Sequence, residues 1–129
     1  MKQSFISLGQ GYGDIFEMIE LMKFNHLRIE KLLFLHTTLE ENPKTSVLLV
    51  MQPTPESHFQ AIYTILEALP YPYPNSNKRI DLLKSCANDH HITIQEFDVK
   101  SSHHFYETDL YYQYLLGVLR LQRIIKPML

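Results

Sequence analysis

The sequence is poor in the residues that build disulfide frameworks and phosphate-binding loops. It has one cysteine, Cys86, four glycines and no tryptophan among its 129 residues. A single cysteine excludes an internal disulfide, and any zinc site would need ligands of other types. The apolar fraction of 45% and the charged fraction of 20% are those of an ordinary globular protein. We expect residues 1–129 to form a single domain, since this length suits one hydrophobic core.

Long apolar runs and a strong excess of charge are also missing. The net charge is −2 and the isoelectric point is near 6.4, so nucleic-acid binding has no electrostatic support. No apolar stretch approaches the roughly 20 residues that span a bilayer, and the first five residues lack the apolar core of a signal peptide. We therefore expect a soluble cytoplasmic protein that binds neither nucleic acid nor membranes.

Hydrophobic periodicity predicts five strands and three helices. Strands are predicted at 5–8, 27–37, 45–51, 58–69 and 92–100, and helices at 14–24, 77–88 and 105–125. Residues 27–37 and 58–69 also fit helices. Strands are favoured there because turn-forming sequences on both sides of 45–51 suggest two hairpins. The prediction is an α+β domain of order βαβββαβα, with a mixed, largely antiparallel sheet of about five strands.

The inner order of helix, three strands, helix and strand resembles the core of restriction-endonuclease-like folds. Members that cut nucleic acid place an acidic residue on the second core strand and Glu-x-Lys on the third. Residues 45–51, the second core strand, contain no acid, and in the third strand Glu67 is followed by Ala68 and Leu69. A nuclease-like enzyme is therefore the least favoured function.

Three of the four glycines, Gly9, Gly11 and Gly13, lie in a turn between the first strand and the first helix. Their spacing departs from the G-x-G-x-x-G of dinucleotide-binding loops, and no Gly-Lys pair exists for a phosphate-binding P-loop. Asp14 and Glu17 read as a capping box, in which Asp14 would occupy the helix N–H groups and repel an anion. The turn is predicted to display Tyr12 at its tip.

This turn nevertheless gives the alternative function, which is binding of a small ligand or nucleotide, either as a binding protein or as an enzyme. Lys78 and Arg79, after the proline-rich stretch 69–77, would supply the positive charge that the turn lacks. The candidate ligand-binding residues are Gly11, Tyr12, Gly13, Asp14, Lys78 and Arg79.

Two adjacent histidine pairs, His90-His91 and His103-His104, flank the strand predicted at 92–100. Neighbouring residues on a strand point to opposite faces, so such a pair seldom holds one ion. We expect surface histidines, no metal and no cofactor. Cys86 lies in the middle of a predicted helix, without a helix N-terminus or a close basic pair to activate it, and no G-x-S-x-G elbow occurs, so no catalytic residue is assigned.

Tyrosines are concentrated in the last predicted helix, where an apolar arc is wider than one sheet contact requires. Tyrosine is common at protein interfaces because its ring packs while its hydroxyl stays hydrated. Internal packing is the alternative role. We predict a non-enzymatic protein-interaction or homodimerising domain whose interface is formed by Tyr111, Tyr112, Tyr114, Leu115 and Val118.

Three segments resemble a family of short uncharacterised proteins from Bacillus-type Gram-positive bacteria. They are Leu8-Gly9-Gln10-Gly11-Tyr12, Asn77-Lys78-Arg79, and Tyr112-Gln113-Tyr114-Leu115 with Leu119-Arg120. The similarity covers nearly the full length. It implies a cytoplasmic bacterial protein and carries no activity or substrate.

Overall fold

The computed structural model describes residues 2–9, 12–56, 58–70 and 78–126. Eight elements follow one another: β1 (Lys2–Ser7), α1 (Tyr12–Asn25), β2 (Ile29–His36), β3 (Lys44–Met51), β4 (Phe59–Pro70), α2 (Lys78–Asp89), β5 (Ile94–Asp98) and α3 (Thr108–Leu121). Short 3-10 turns occur at His26–Arg28 and Ser102–His104. The predicted α+β class and element order are confirmed, and both ambiguous segments form strands.

The five strands form one mixed sheet in the order β1-β4-β3-β2-β5. β3 is antiparallel to both β2 and β4, while β1 pairs parallel with β4 and β2 pairs parallel with β5. Thus β3 runs opposite to the other four strands. The carboxyl ends of β1, β2, β4 and β5 consequently lie along one edge of the sheet, which we call the carboxyl edge.

The first face of the sheet is covered by two helices. Alternation along β2 turns Leu32 and Phe34 to this face, where both are fully buried. α1 contributes buried side chains at helical spacing, and α2 contributes a second apolar stripe. The buried helix residues on this face are Ile15, Met18, Met22, Ile80, Leu83, Cys86 and Ala87.

The second face is covered by α3 alone. Leu33 and Leu35 of β2 point to it and are fully buried. Four strand spacings make the sheet about 19 Å wide, whereas one helix is only about 10 Å across. Apolar side chains beside the helix are therefore half-buried. They include Phe5, Leu66, Phe97, Tyr112, Leu116 and Val118.

Three boundary predictions are corrected. α1 begins at Tyr12, so Asp14 lies within the first turn, 5% exposed, and its Oδ1 accepts from the next backbone N–H, that of Ile15, at 3.0 Å. The predicted capping box of Asp14 and Glu17 is therefore wrong. α3 begins at Thr108 rather than Phe105, and ends at Leu121.

Residues 71–77, most of the proline-rich stretch, lie outside the described residues. Across the described part of the chain, no helix has the length and apolar character to cross a membrane.

Candidate site at the carboxyl edge

The glycine turn leaves β1 at the carboxyl edge. Gly11 lies outside the described residues, and Tyr12 and Gly13 open α1. Two carboxylates lie close to this turn: Asp14 is in the first helical turn, and a Cβ added at Gly9 would lie 2.8 Å from Glu17 Oε1. Negative charge at this position opposes a phosphate ligand.

Lys78 and Arg79 form the start of α2, which follows β4 at the same edge. Lys78 is exposed and Arg79 is half-buried. The topology therefore brings the described members of the predicted ligand-binding set to one edge of the sheet. Binding of a ligand between them stays a prediction.

Two of the predicted interface residues are internal. Tyr111 is 1% exposed and Leu115 is fully buried against the second sheet face. The Tyr111 hydroxyl donates to the Lys100 carbonyl at 2.9 Å, so its polar end is also used inside the chain. Tyr111 and Leu115 therefore have almost no surface to offer a second copy, and both pack inside the chain.

The other three predicted interface residues are half-buried. The Tyr112 ring stacks on Phe5, with centroids 4.4 Å apart, which directs it toward β1. The Tyr114 hydroxyl accepts from the Lys100 N–H at 2.9 Å. Val118 packs partly against the apolar core between α3 and the second face of the sheet. These three retain surface that a partner can contact.

A cluster that the sequence analysis did not find lies at the carboxyl edge and consists of Glu40, His103 and His104. His104 Nε2 is 2.8 Å from Glu40 Oε1, and His103 Nε2 is 3.4 Å from Glu40 Oε2. One potential ligand atom of each residue lies within 4.8 Å of those of the other two. The cluster thus joins the loop after β2 to the segment after β5.

The loop between β2 and β3 places Glu40. At its base, the Thr37 N–H donates to the Lys44 carbonyl at 2.9 Å, and the Lys44 N–H donates to Thr37 Oγ1 at 2.8 Å. The Glu40 N–H donates to the Thr37 carbonyl at 3.1 Å. These bonds fix the position of Glu40 relative to the end of the β2–β3 hairpin.

His103 and His104 follow β5, as expected, and lie in the 3-10 turn Ser102–His104. In this turn the consecutive rings lie on the same side, with centroids 4.3 Å apart. The expectation that these adjacent histidines point apart is therefore wrong, because their backbone is turned rather than extended. The Glu67 carboxylate holds the start of the turn by accepting from the Ser102 N–H at 2.6 Å and from its hydroxyl at 2.9 Å.

Glu67 reaches this turn from a bulge in β4. Pairing between β3 and β4 is irregular at Ser46, and Glu67 has a φ of 48°, in the left-handed region that glutamate seldom adopts. The Glu67 N–H donates to Ser46 Oγ at 2.7 Å instead of continuing the strand ladder. A bulge of this kind re-aims the side chain at that position, and here it carries a carboxylate to the histidine turn.

Buried Ser101 fixes the proton arrangement around His103. Its hydroxyl donates to Glu40 Oε1 at 3.1 Å and lies 2.6 Å from His103 Nδ1. Because the hydroxyl proton is used on Glu40, His103 Nδ1 must carry a proton and donate to Ser101. In a neutral ring, His103 Nε2 then presents a lone pair toward the carboxylate. This lone pair and the carboxylate oxygen of Glu40 repel each other unless a proton or a cation lies between them.

A family model matches residues 1–125, almost the whole chain. The chain belongs to the family described as a domain of unknown function, DUF7147. No curated protein and no solved structure matches it. The family's description assigns no chemistry, so the function of this member must be argued from its geometry.

The cluster carries negative charge on Glu40 at neutral pH. The hydrogen bond from His104 lowers the pKa of Glu40 below its ordinary value, and this effect outweighs the opposing one of burial. The Ser101 hydrogen bond acts in the same direction, as does the charge of either histidine whenever its ring is protonated. The carboxylate is consequently ionised and ready to accept a cation.

Two clefts flank Glu40. We call the larger one, about 610 Å³, the apolar cleft; it is lined by Leu39, Glu40, Val99, Lys100, His104 and Phe105. We call the smaller one, about 350 Å³, the polar cleft; it is lined by Thr37, Glu40, Glu41, Asn42, Lys44, Glu67, Ser101 and His103. Open sheets commonly bind ligands outside the carboxyl ends of their strands, which is where both clefts lie.

A second cluster of polar side chains lies nearby, and its members form hydrogen bonds with one another. Buried His36, at the end of β2, lies 2.9 Å from Thr45 Oγ1 and 3.1 Å from Glu96 Oε1, while Lys84 donates to Glu96 Oε2 at 3.2 Å. Burial raises the pKa of Glu96, but the hydrogen bonds from His36 and Lys84 bring it below its ordinary value. These bonds link β2, β5 and α2, which indicates a structural role.

Proposed function

We propose that this protein binds a divalent transition-metal ion through Glu40, His103 and His104. Two imidazoles and one carboxylate suit zinc, iron, cobalt, nickel and copper better than the oxygen-preferring magnesium and calcium. Three protein ligands leave coordination positions for water or a further ligand, as in catalytic rather than purely structural sites.

The observation that carries this proposal is the hydrogen bonding of Ser101. Protein-bound metal ions usually have histidine ligands whose second ring nitrogen donates to a neighbouring acceptor. His103 Nδ1 has such an acceptor in Ser101, which leaves Nε2 directed at the Glu40 carboxylate 3.4 Å away. A metal ion between these atoms would turn their repulsion into two coordinate bonds after small side-chain shifts.

Metal binding is tested by titrating the purified protein with Zn²⁺ and Co²⁺ in competition with a chromophoric chelator. The H103A/H104A double variant should bind Zn²⁺ more than about 100-fold more weakly, since even outer-shell partners are worth about 10–100-fold. Glu40→Gln should also weaken binding strongly. Affinity should fall as the pH is lowered, because protons compete with the metal ion for the ligand atoms.

The chain offers a matched control in its other histidine pair. The H90A/H91A variant removes the same number of imidazoles at the opposite end of β5 and should leave Zn²⁺ affinity unchanged. Equal losses in the two double variants would contradict the proposal. Circular dichroism melting checks that all variants keep the fold.

We also propose, as a second function, that α3 forms a homodimer contact. Leu110, Tyr114, Val118 and Leu121 follow helical spacing along one stripe of α3, and Leu110 and Leu121 are 44% and 84% exposed. A Cβ added at Gly117, on the same stripe, would meet no atom within 4 Å. The stripe would permit close approach of the same helix from a second copy.

Sedimentation at low micromolar concentration tests the dimer. The native chain should sediment near about 30 kDa, twice its mass of 15.2 kDa. Gly117→Arg should give a monomer without loss of stability, because the new side chain has open space within its own chain. Leu27→Asp, at an exposed site next to α1, should remain dimeric. A native monomer would overturn this second proposal.

A further inference from the structure

The apolar cleft beside the proposed metal site has the features of a ligand pocket. Its volume of about 610 Å³ lies within the range of small-molecule sites. Leu39, Val99 and Phe105 line it, and Leu39 is 94% exposed, which leaves apolar surface in contact with water. His104, a proposed metal ligand, and Lys100 are the polar groups on its wall together with Glu40.

The charges in this cleft favour an anion. Within the described part of the chain, the Lys100 ammonium has no acidic partner, while its backbone N–H and carbonyl are held by Tyr114 and Tyr111. A divalent ion neutralises Glu40 and leaves the wall net positive. The polar cleft differs, because it has three carboxylates, those of Glu40, Glu41 and Glu67, against the single cation of Lys44.

We propose that the metal-loaded protein binds a small organic carboxylate in the apolar cleft. This inference rests on the proposed metal-binding function. The carboxylate fills a free coordination position of the ion and pairs with Lys100, while its aliphatic part packs on Leu39, Val99 and Phe105. The ligand therefore needs both a negatively charged group and an apolar chain, because one part of the cleft wall is cationic and the other part is apolar.

The experiment uses the full chain loaded with Co²⁺, whose visible absorption reports changes in coordination, and titrates it with hexanoate and with acetate. Hexanoate should bind more than about tenfold more tightly than acetate, because each buried methylene increases affinity severalfold. Hexylamine, with the same body and a positive head, should not change the spectrum. Calorimetry with metal-free protein should show hexanoate affinity reduced by about tenfold or more.

Two matched variants separate the clefts. Lys100→Met keeps the backbone hydrogen bonds of this residue and should weaken hexanoate about tenfold with Co²⁺ affinity unchanged. Lys44→Met, in the polar cleft, should leave hexanoate affinity unchanged. If Co²⁺ binds but hexanoate and acetate bind equally, or if Lys100→Met has no effect, this inference is overturned and metal binding stands. If Co²⁺ does not bind at the three ligands, both fall.

Discussion

Replacing Phe34 with alanine should lower the free energy of unfolding by about 3–5 kcal/mol. Phe34 is fully buried near the middle of the sheet, where β2 pairs it with Val47 of β3 and Glu96 of β5. Lys84 of α2 places its ammonium 5.3 Å from the ring centroid. Truncation would leave a cavity between the sheet and the helix layer, because the strands on both sides hold the backbone in place.

Urea denaturation followed by circular dichroism measures this effect. Phe24→Ala is the matched control, since Phe24 is 83% exposed on α1 and its truncation should change stability by less than about 0.5 kcal/mol. Similar losses in the two variants would mean that Phe34 does not occupy the packed interior described above. A loss of about 3–5 kcal/mol is a large part of the roughly 5–15 kcal/mol that stabilises a typical domain.

Tyr111→Ala should also cost about 3–5 kcal/mol, and it should weaken metal binding in addition. The ring packs beside Phe105 and Tyr114 with centroids 5.3 and 6.0 Å away, and the hydroxyl holds the Lys100 carbonyl just before the histidine turn. Loss of this anchor loosens the segment that carries His103, so metal affinity should fall together with stability.

Tyr111→Phe separates packing from hydrogen bonding. It keeps the ring and should cost only about 1–3 kcal/mol, the usual penalty for an unpaired buried group. Burial, reinforced by the negative charge of Glu67, raises the pKa of Tyr111 above its ordinary value of 10. Its contribution is therefore complete below pH 10 and declines as pH rises above that value, when the unfolded tyrosine ionises first. The native chain should lose more stability than Tyr111→Phe above this pH, and parallel pH profiles would contradict the assignment.

The element order was accessible from sequence because periodicity is a local property. α1 repeats apolar residues at helical spacing, and β3 is apolar between two turn sequences, so each element is defined by its own residues. The strand order is not local. β1 pairs with β4 through residues 57 positions apart, and no feature of either strand specifies that partner.

Two things prevented prediction of the proposed metal site: its residues are distant in the sequence, and the backbone conformation of the histidine pair was not known. Glu40 and His104 are 64 positions apart and meet only when β2 and β5 are adjacent. The histidine pair was visible, but its meaning depended on whether the backbone was extended or turned. Glu67 gave no signal, because glutamate is not a residue type that marks left-handed backbone.

The pairing of β1 with β4 also has a kinetic consequence. β2, β3 and β4 are joined by short loops and can assemble as a local meander, whereas β1 must close a long loop before it gains any strand contact. β1 precedes the other four strands in the sequence, yet it is therefore among the last of them to pair. Until it docks, β4 presents an unpaired, apolar edge to other chains, and that interval is when aggregation of this protein is most favoured.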